Sequence, residues 1–328
     1  MRALAGLGAG ALARSIAKAG EAAEEGGRRS RVVLVRHGAM ADGEGNVDPR
    51  AVREAVRKGI IALADAADEG AAWGRFFAPA DRVGVKVNCL GAPGIATRRE
   101  LAMAVAAGLL LAGVAPANIV VWDRRNDELL RAGYRINFFR RGIRCFGTDT
   151  PRVGYEEEAT FAGSAVSRLS RILTRLCTAQ VNAPVLKDHS IVGMTGAIKN
   201  FLGAVDNPSK YHFSHGNPMI ADINTAPAIA SRVRLVVMDA IYVQYEGGPS
   251  FSPEHVERYN AVLLSTDPIA VDTVGQEIVD ELRRKHGLPT LAAAQRAPEY
   301  LDTAADAEHR LGEREMGKIE LVEVSLAR

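Results

Sequence analysis

The side chains best suited to chemistry follow a short apolar run in the second half of the chain. The run ends in Lys187, Asp188 and His189. A glycine-punctuated stretch with a helical pattern follows, and its Thr195 and Lys199, four residues apart, would share one helix face. A strand that turns into a helix in this way delivers polar groups to the carboxyl edge of an α/β sheet, where ligands bind near helix N-termini. The alternative is a plain strand and helix whose lysine and histidine point to solvent.

Polar residues also end other predicted strands. Lys86 and Asn88 end one strand, Asp123 a second and Asp239 a third. Because parallel strands place their carboxyl ends along one edge, we expect these side chains to meet in one crevice. Lysines around a pocket favour a carboxylate or phosphate, and a histidine can exchange a proton near neutral pH. The candidate catalytic residues are Lys187, His189 and Lys199, and the candidate substrate-binding residues are Lys86, Asn88, Thr195, Asn200, Asp239 and Glu246.

Three histidines suggest a different kind of site. His189, His212 and His215, with Asp239 or Glu246, offer the nitrogen and oxygen ligands that divalent metals take. The spacing of His212 and His215 permits joint ligation without requiring it. The alternative is that the loop histidines are surface or packing groups.

A weaker motif lies near the start of the chain. The run Arg36-His37-Gly38 resembles the opening of histidine phosphatases, in which the histidine takes a phosphoryl group and the arginine holds it. The residues after Gly38 do not continue that pattern, so phosphoryl transfer at His37 is the weakest alternative.

Composition limits the classes of partner. The chain has 328 residues and a formal net charge of +2, which gives no reason to expect nucleic acid or an anionic membrane surface. Its three cysteines, Cys89, Cys145 and Cys177, form no C-x-x-C pair, so no iron–sulfur cluster or four-cysteine zinc site is predicted from this chain. The expected partner is a small molecule, and the oligomeric state is left open.

Strand and helix patterns alternate along the chain. Strands are predicted over 31–37, 81–88, 118–123, 234–241 and 261–265. Helices are predicted from Asp48 and from Arg98, over Met219–Ser231, and from Asp267 and Pro268. This alternation predicts an α/β fold in which a mostly parallel sheet carries helices on both faces, in three layers. We predict one α/β domain over 31–328, and 134–180 is the place where two lobes would meet.

The first 30 residues differ from the rest. Met1–Ala13 is small and apolar and ends in an Ala-Leu-Ala triplet, like the apolar region and cleavage box of a secretory signal. It resembles the tail of a twin-arginine leader and predicts export to the periplasm. A disordered or amphipathic leader on a cytoplasmic protein is the alternative. The stretch is too short and too rich in glycine for a membrane span.

Several of these segments together resemble the bacterial domain-of-unknown-function 362 family. They are Val85–Asn88, Pro184–His189, Thr195–Asn200, Asp239-Ala240 and Glu246–Pro249, and the similarity runs over roughly residues 31–280. Members often carry a ferredoxin-like iron–sulfur segment or a twin-arginine leader. This chain lacks the cysteine clusters, and its N-terminus is compatible with export. The resemblance implies the fold and the location of the site, but the family has no established activity.

We therefore expect an enzyme that acts on a small anionic or carbonyl-bearing metabolite. Lys187 and Lys199 would hold the anion or polarise the carbonyl, and His189 would move a proton. A metal-dependent enzyme and an exported small-anion-binding protein are the two main alternatives, and the cofactor is otherwise unknown.

Overall fold

A large mixed sheet organises the chain. The structure is a computed structural model that describes residues 30–327. Its strands are β1 (Ser30–His37), β2 (Val83–Val87), β3 (Ile119–Trp122), β4 (Arg144–Cys145), β5 (Thr160–Ala162), β6 (Ala165–Ser167), β7 (Ala179–Ala183), β8 (Val185–His189), β9 (Gly193–Thr195), β10 (Val233–Gln244), β11 (Val256–Ser265) and β12 (Ile319–Leu326). The main sheet has the order β12-β1-β11-β10-β7-β2-β3-β4, and β5 and β6 form a separate hairpin.

Most strand pairs in the main sheet are parallel. Strand β10 pairs in parallel with β7 and β8, and the β7–β2, β2–β3, β3–β4 and β1–β12 pairs are also parallel. Strand β11 runs antiparallel to both of its neighbours, and β9 returns antiparallel along β8. The prediction of a mostly parallel sheet is therefore confirmed.

The sheet divides at a proline between two consecutive strands. Strand β7 pairs with both β2 and β10, but after Pro184 the chain continues as β8, which pairs with β10 and β9. Proline has no N–H to donate to a ladder, although the Pro184 carbonyl still accepts from the Asp239 N–H at 2.8 Å. Val87, the last residue of β2, still pairs with Ala183, but beyond this pair the chain after β2 has no strand beside it on that side.

Helices cover both faces of the sheet. They are α1 (Pro49–Ala64), α2 (Glu69–Gly74), α3 (Arg99–Leu111), α4 (Asn126–Arg131), α5 (Ala197–Asn200), α6 (Met219–Asn224), α7 (Pro227–Ala230), α8 (Pro268–Lys285) and α9 (Tyr300–Ala305). The predicted N-caps are confirmed. The Asp48 carboxylate accepts from the Arg50 N–H, and the Asp267 carboxylate accepts from Ile269 and Ala270, with Pro268 in the first helical turn.

Two apolar clusters lie on opposite sides of the sheet. Side chains alternate along β1, so Val33 and Val35 belong to a cluster with α1, α2 and α3. Val32 and Leu34 belong to the other cluster, which includes residues of α5, α6, α8 and α9. The three-layer α/β prediction is thus confirmed.

Two predicted helices differ from the structure. The stretch after His189 does not begin a helix, because Gly193–Thr195 forms β9 and the helix α5 begins only at Ala197. Thr195 and Lys199 therefore do not share a helix face. The helix predicted over Met219–Ser231 is two short helices, α6 and α7, and the second starts at Pro227, whose missing N–H breaks a continuous ladder.

Two further predictions concern the N-terminal leader and the absence of a membrane-spanning segment. Except for Ser30, the leader predicted for residues 1–30 lies outside the described residues. Within residues 30–327, no helix has both the length and the apolar character needed to cross a bilayer. The division into a leader and a single domain stays a prediction.

Candidate functional site

A cavity of about 280 Å³ lies at the carboxyl ends of β2, β3 and β8, where Pro184 divides the sheet. Its polar lining consists of Lys86, Asn88, Asp123, Arg124, Glu128, His189, Lys199, Asn200, Ser209 and His212. The structure thus brings together Lys86, Asn88, His189, Lys199, Asn200 and His212, all of which were predicted as site residues from the sequence. Parallel strands explain the convergence, because they deliver residues distant in sequence to one edge.

Lys86 is the centre of a buried polar network. Its ammonium group donates to Asp123 Oδ1 at 2.8 Å, to Asn200 Oδ1 at 3.1 Å and to the Val87 carbonyl at 2.7 Å. Asp123 Oδ2 accepts from the Cys89 N–H at 2.7 Å, and the Asn200 amide donates to Asn182 Oδ1 at 2.8 Å. The network satisfies the Lys86 charge, so this lysine fixes the floor of the cavity rather than offering a free cation.

Lys199 differs from Lys86 because its charge has no partner. Its side chain is 7% exposed, lines the cavity and makes neither a hydrogen bond nor an ion pair with any residue in 30–327. Burial and then the nearby Lys187 charge lower the pKa of Lys199 to about 7. A large share of this amine is therefore neutral near physiological pH.

The short helix α5 that carries Lys199 is held by a carboxylate from α8. Asp272 accepts from the Ala197 N–H at 2.5 Å and from the Ile198 N–H at 3.1 Å. Burial raises the pKa of Asp272 to about 7. Gly196 makes the approach possible, because a Cβ at this position would lie 2.2 Å from Asp272 Oδ1.

Gly196→Ala should therefore destabilise the protein by about 1–3 kcal/mol, because the added methyl group displaces the capping carboxylate. Urea unfolding followed by circular dichroism would measure the change. Gly74→Ala is the matched control, because Gly74 lies at the end of α2 and a Cβ there would have no heavy atom within 4 Å. Equal stability of the two variants would contradict the capping role.

His189 is a neutral hydrogen-bond donor toward the cavity. Its Nδ1 accepts weak hydrogen bonds from the Ile191 and Val192 N–H groups at 3.3 and 3.4 Å, which assigns the proton to Nε2. Burial and then the Lys199 charge lower the pKa of His189 to about 2. The ring stacks on His212 with centroids 5.0 Å apart. His189 consequently keeps its Nε2–H across the physiological pH range.

Lys187 lies beside the cavity and ties two loops to β8. Its ammonium donates to the Leu90 carbonyl and, at 3.1 Å, to the Pro249 carbonyl, and both Leu90 and Pro249 line the cavity. Burial lowers the pKa of Lys187 to about 8. The side chain therefore shapes the wall, and its charge acts on Lys199.

Three predicted substrate-binding residues lie outside the cavity lining. Strand β10 extends past Asp239 to Gln244, so Asp239 sits in mid-strand, where it accepts from the Arg98 N–H at 2.7 Å and from the Ile241 N–H at 3.0 Å. Thr195 is in β9, and its buried hydroxyl has no hydrogen-bond partner among the described residues. Glu246 belongs to an ion-pair cluster behind β8.

That cluster fastens the carboxyl end of β8 to the loops around it. Arg296 donates to Asp188 Oδ1 at 2.9 Å and to Glu246 Oε2 at 2.7 Å, and Arg283 also pairs with Glu246. Asp188 accepts from the Gly248 N–H at 3.0 Å as well. Because successive side chains along a strand point to opposite faces, Asp188 faces this cluster, whereas its neighbours Lys187 and His189 point toward the cavity.

The histidines do not assemble as the metal hypothesis expected. His215 is exposed, and its Nδ1 lies 2.9 Å from the Ile191 carbonyl, whereas His189 and His212 stack on each other. Within residues 30–327 no group of three His, Cys, Asp or Glu side chains is arranged to hold a metal ion. His37 ends β1, outside the cavity lining, with Nδ1 accepting from the Ala39 N–H at 3.3 Å.

Two charged cavity residues were not predicted from the sequence. Arg124 follows Asp123 at the end of β3, and its guanidinium has no carboxylate partner within 4.0 Å among the described residues. Glu128 lies one turn further on in α4, and burial raises the pKa of its carboxyl group. The strand-end position that indicated Asp123 could also have indicated Arg124.

Two comparisons with known proteins give matches. A family model described as "Domain of unknown function (DUF362)" matches residues 83–277, a stretch that contains every residue lining the cavity. A crystal structure of a protein from Thermotoga maritima, a target of the Northeast Structural Genomics Consortium, is similar at 13% identity with a TM-score of 0.39. That match covers 74% of this chain and 60% of the other, so it spans less than two thirds of that protein. No curated protein matches the chain.

Proposed function

We propose a function from the chemistry of the cavity itself, because the chain belongs to the DUF362 family, whose description names no activity. The membership confirms the resemblance expected from the sequence. The protein binds, and acts on, a small metabolite that carries both a carboxylate and a carbonyl group.

The observation that carries this proposal is the presence, in one cavity, of two cationic groups that have no carboxylate within 4.0 Å among the described residues. Arg124 and Lys199 both line it, and neither forms an ion pair with a carboxylate in residues 30–327. Leaving such charges partly desolvated is unfavourable unless an anion completes the site. A guanidinium forms two parallel hydrogen bonds with a carboxylate, so Arg124 is the better anchor for the acid group.

Neutral polar groups in the same cavity suit a carbonyl. The His189 Nε2–H can donate to a carbonyl oxygen without a change of protonation, because the low pKa keeps the ring neutral. Asn88 Oδ1 is buried without a hydrogen-bond partner in the described chain, and it can accept from a hydroxyl or an amine. His189 thus enters as a donor and not as the proton carrier expected from its residue type.

The size of the cavity limits the ligand. At about 280 Å³ its volume is just below the range for ligand sites, which begins near roughly 300 Å³. A dinucleotide or a sugar chain would not fit inside, whereas an acid of a few carbon atoms would.

Isothermal titration calorimetry with pyruvate, acetoacetate and levulinate tests the proposal. These acids place the ketone at increasing distances from the carboxylate, and we expect at least one to bind. Arg124→Gln should weaken its binding by about tenfold or more, because a charge-assisted pair is lost. At about 100 times Kd the bound acid should stabilise the fold by roughly 2.7 kcal/mol.

Arg131→Gln is the matched control, because Arg131 is exposed on α4 and pairs with Asp127 away from the cavity. Its affinity should equal that of the unmodified protein. If none of the three acids binds, or if Arg124→Gln and Arg131→Gln bind equally well, the assignment of the cavity is wrong. Binding followed by no chemical conversion of any of them would instead favour the small-anion-binding protein.

A further inference from the structure

The position of Lys199 supports a step beyond electrostatic binding. Building on the proposed function, we infer that the Lys199 amine forms a covalent imine with the carbonyl carbon of a small oxo acid, while Arg124 holds the carboxylate of the same molecule. Imine formation is a step that follows binding, so an experiment can disprove the imine while the binding proposal still holds.

Comparison of the buried lysines singles out Lys199. Within the described residues, Lys86 donates to three acceptors and Lys187 to two carbonyls, so both amines are engaged. Lys199 is also buried, at 7% exposure, yet its amine faces the cavity and has no hydrogen-bond acceptor among residues 30–327. An amine that must attack a carbon needs a free lone pair and no competing hydrogen bond.

The surroundings also keep this amine in its reactive form. Nucleophilic lysines are activated by an apolar environment or by a neighbouring cation, because both disfavour the ammonium form. Lys199 has both, since it is buried and feels the charge of Lys187, and these lower its pKa to about 7. Its support is rigid as well, because Asp272 holds the first N–H groups of α5.

The reaction needs no partner other than the ligand. The neutral amine forms a C–N bond to the carbonyl carbon, and the electrons of the C=O π bond move to the oxygen. A proton passes from nitrogen to that oxygen, which gives a carbinolamine. The nitrogen then gives its remaining proton to the hydroxyl group, the C–O bond breaks to release water, and the nitrogen electrons form the C=N bond. One carbonyl compound and one amine thus become one imine and one water.

Two neighbouring groups suit this sequence. The His189 Nε2–H can donate to the carbonyl oxygen as negative charge develops on it. Asn88 Oδ1, buried without a partner among residues 30–327, can accept a hydrogen bond from the carbinolamine hydroxyl. Asn88 is therefore a binding group for the intermediate and Lys199 the nucleophile.

Reductive trapping tests the inference. The full chain is incubated with pyruvate, acetoacetate or levulinate and sodium cyanoborohydride, which reduces an imine to a stable secondary amine. Intact-mass and peptide mass spectrometry should show a gain equal to the mass of the acid less one oxygen atom, located on Lys199. Lactate, which lacks the ketone, should give no adduct.

Substitutions separate covalent capture from binding. Lys199→Arg keeps a cation but not a primary amine, so the adduct yield should fall at least about tenfold, and by a much larger factor than the affinity measured by calorimetry. Lys318→Met is the control, since the Lys318 side chain is 59% exposed on the surface, and its yield should not change. An acid that binds but leaves no adduct on Lys199, or an adduct spread over surface lysines, would overturn the imine without affecting the binding proposal.

Discussion

Replacing Lys86 with methionine is expected to lower the free energy of unfolding by about 3–5 kcal/mol, because it strands a buried carboxylate. Lys86 and Asp123 are 1% and 6% exposed, with 2.8 Å between Nζ and Oδ1. Methionine has a similar length but supplies no donor, so Asp123 and Asn200 both lose the partner that the ammonium gave them.

Urea unfolding followed by tryptophan fluorescence would measure the loss, because the Trp122 ring lies 5.5 Å from Lys86 Nζ. Asp123→Asn added to Lys86→Met should recover part of the stability, since no unpaired charge then stays buried. Arg131→Met is the surface control and should cost less than about 1 kcal/mol. A loss below about 1 kcal/mol for Lys86→Met as well would contradict the role assigned to the network.

Lys199→Met is expected to have the opposite effect and to stabilise the protein by about 2–5 kcal/mol near pH 6, because a difference in pKa between the folded and unfolded states is worth about 1.4 kcal/mol per pH unit. The pKa of Lys199 is about 7 in the folded chain and near 10.4 when the chain unfolds. Below about pH 7 both states carry the charge, and the folded state bears the full cost of burying it. Between these two values the unfolded state binds more protons, so the stability of the unmodified protein rises with pH.

The advantage of Lys199→Met should therefore shrink as the pH is raised from about 7 and vanish near about pH 10. Unfolding in urea at several pH values would trace this difference. Lys318→Met should show no gain near pH 6, because Lys318 lies on the surface beside Glu315. A destabilised Lys199→Met at low pH would mean that the ammonium has a favourable partner in the fold.

The position of a polar residue at the end of a predicted strand was a better guide to the candidate site than its residue type. It gathered Lys86, Asn88 and His189 from segments up to about a hundred residues apart, because parallel strands share one carboxyl edge. It misplaced Asp239, because a buried strand shows a continuous apolar run that does not reveal where the strand ends.

The long-range contacts that hold the site in place could not be predicted from strand ends or residue types. Asp272 reaches the helix of Lys199 across 74 or 75 residues of sequence, and Arg296 reaches Asp188 across 108. Such contacts depend on how whole elements dock, which local patterns do not encode. The strand β9 was also missed, since three residues are too few to show a period of two.

The division of the sheet at Pro184 means that the opening is a property of the backbone. Strands β2 and β8 part at this point, so the void does not depend on the side chain of Asn88 or Ser209. Exchanging Asn88 or Ser209 would alter what the hollow recognises while leaving its outline in place. A scaffold of this kind separates shape from selectivity, which makes the rim a natural place to engineer new ligand preferences.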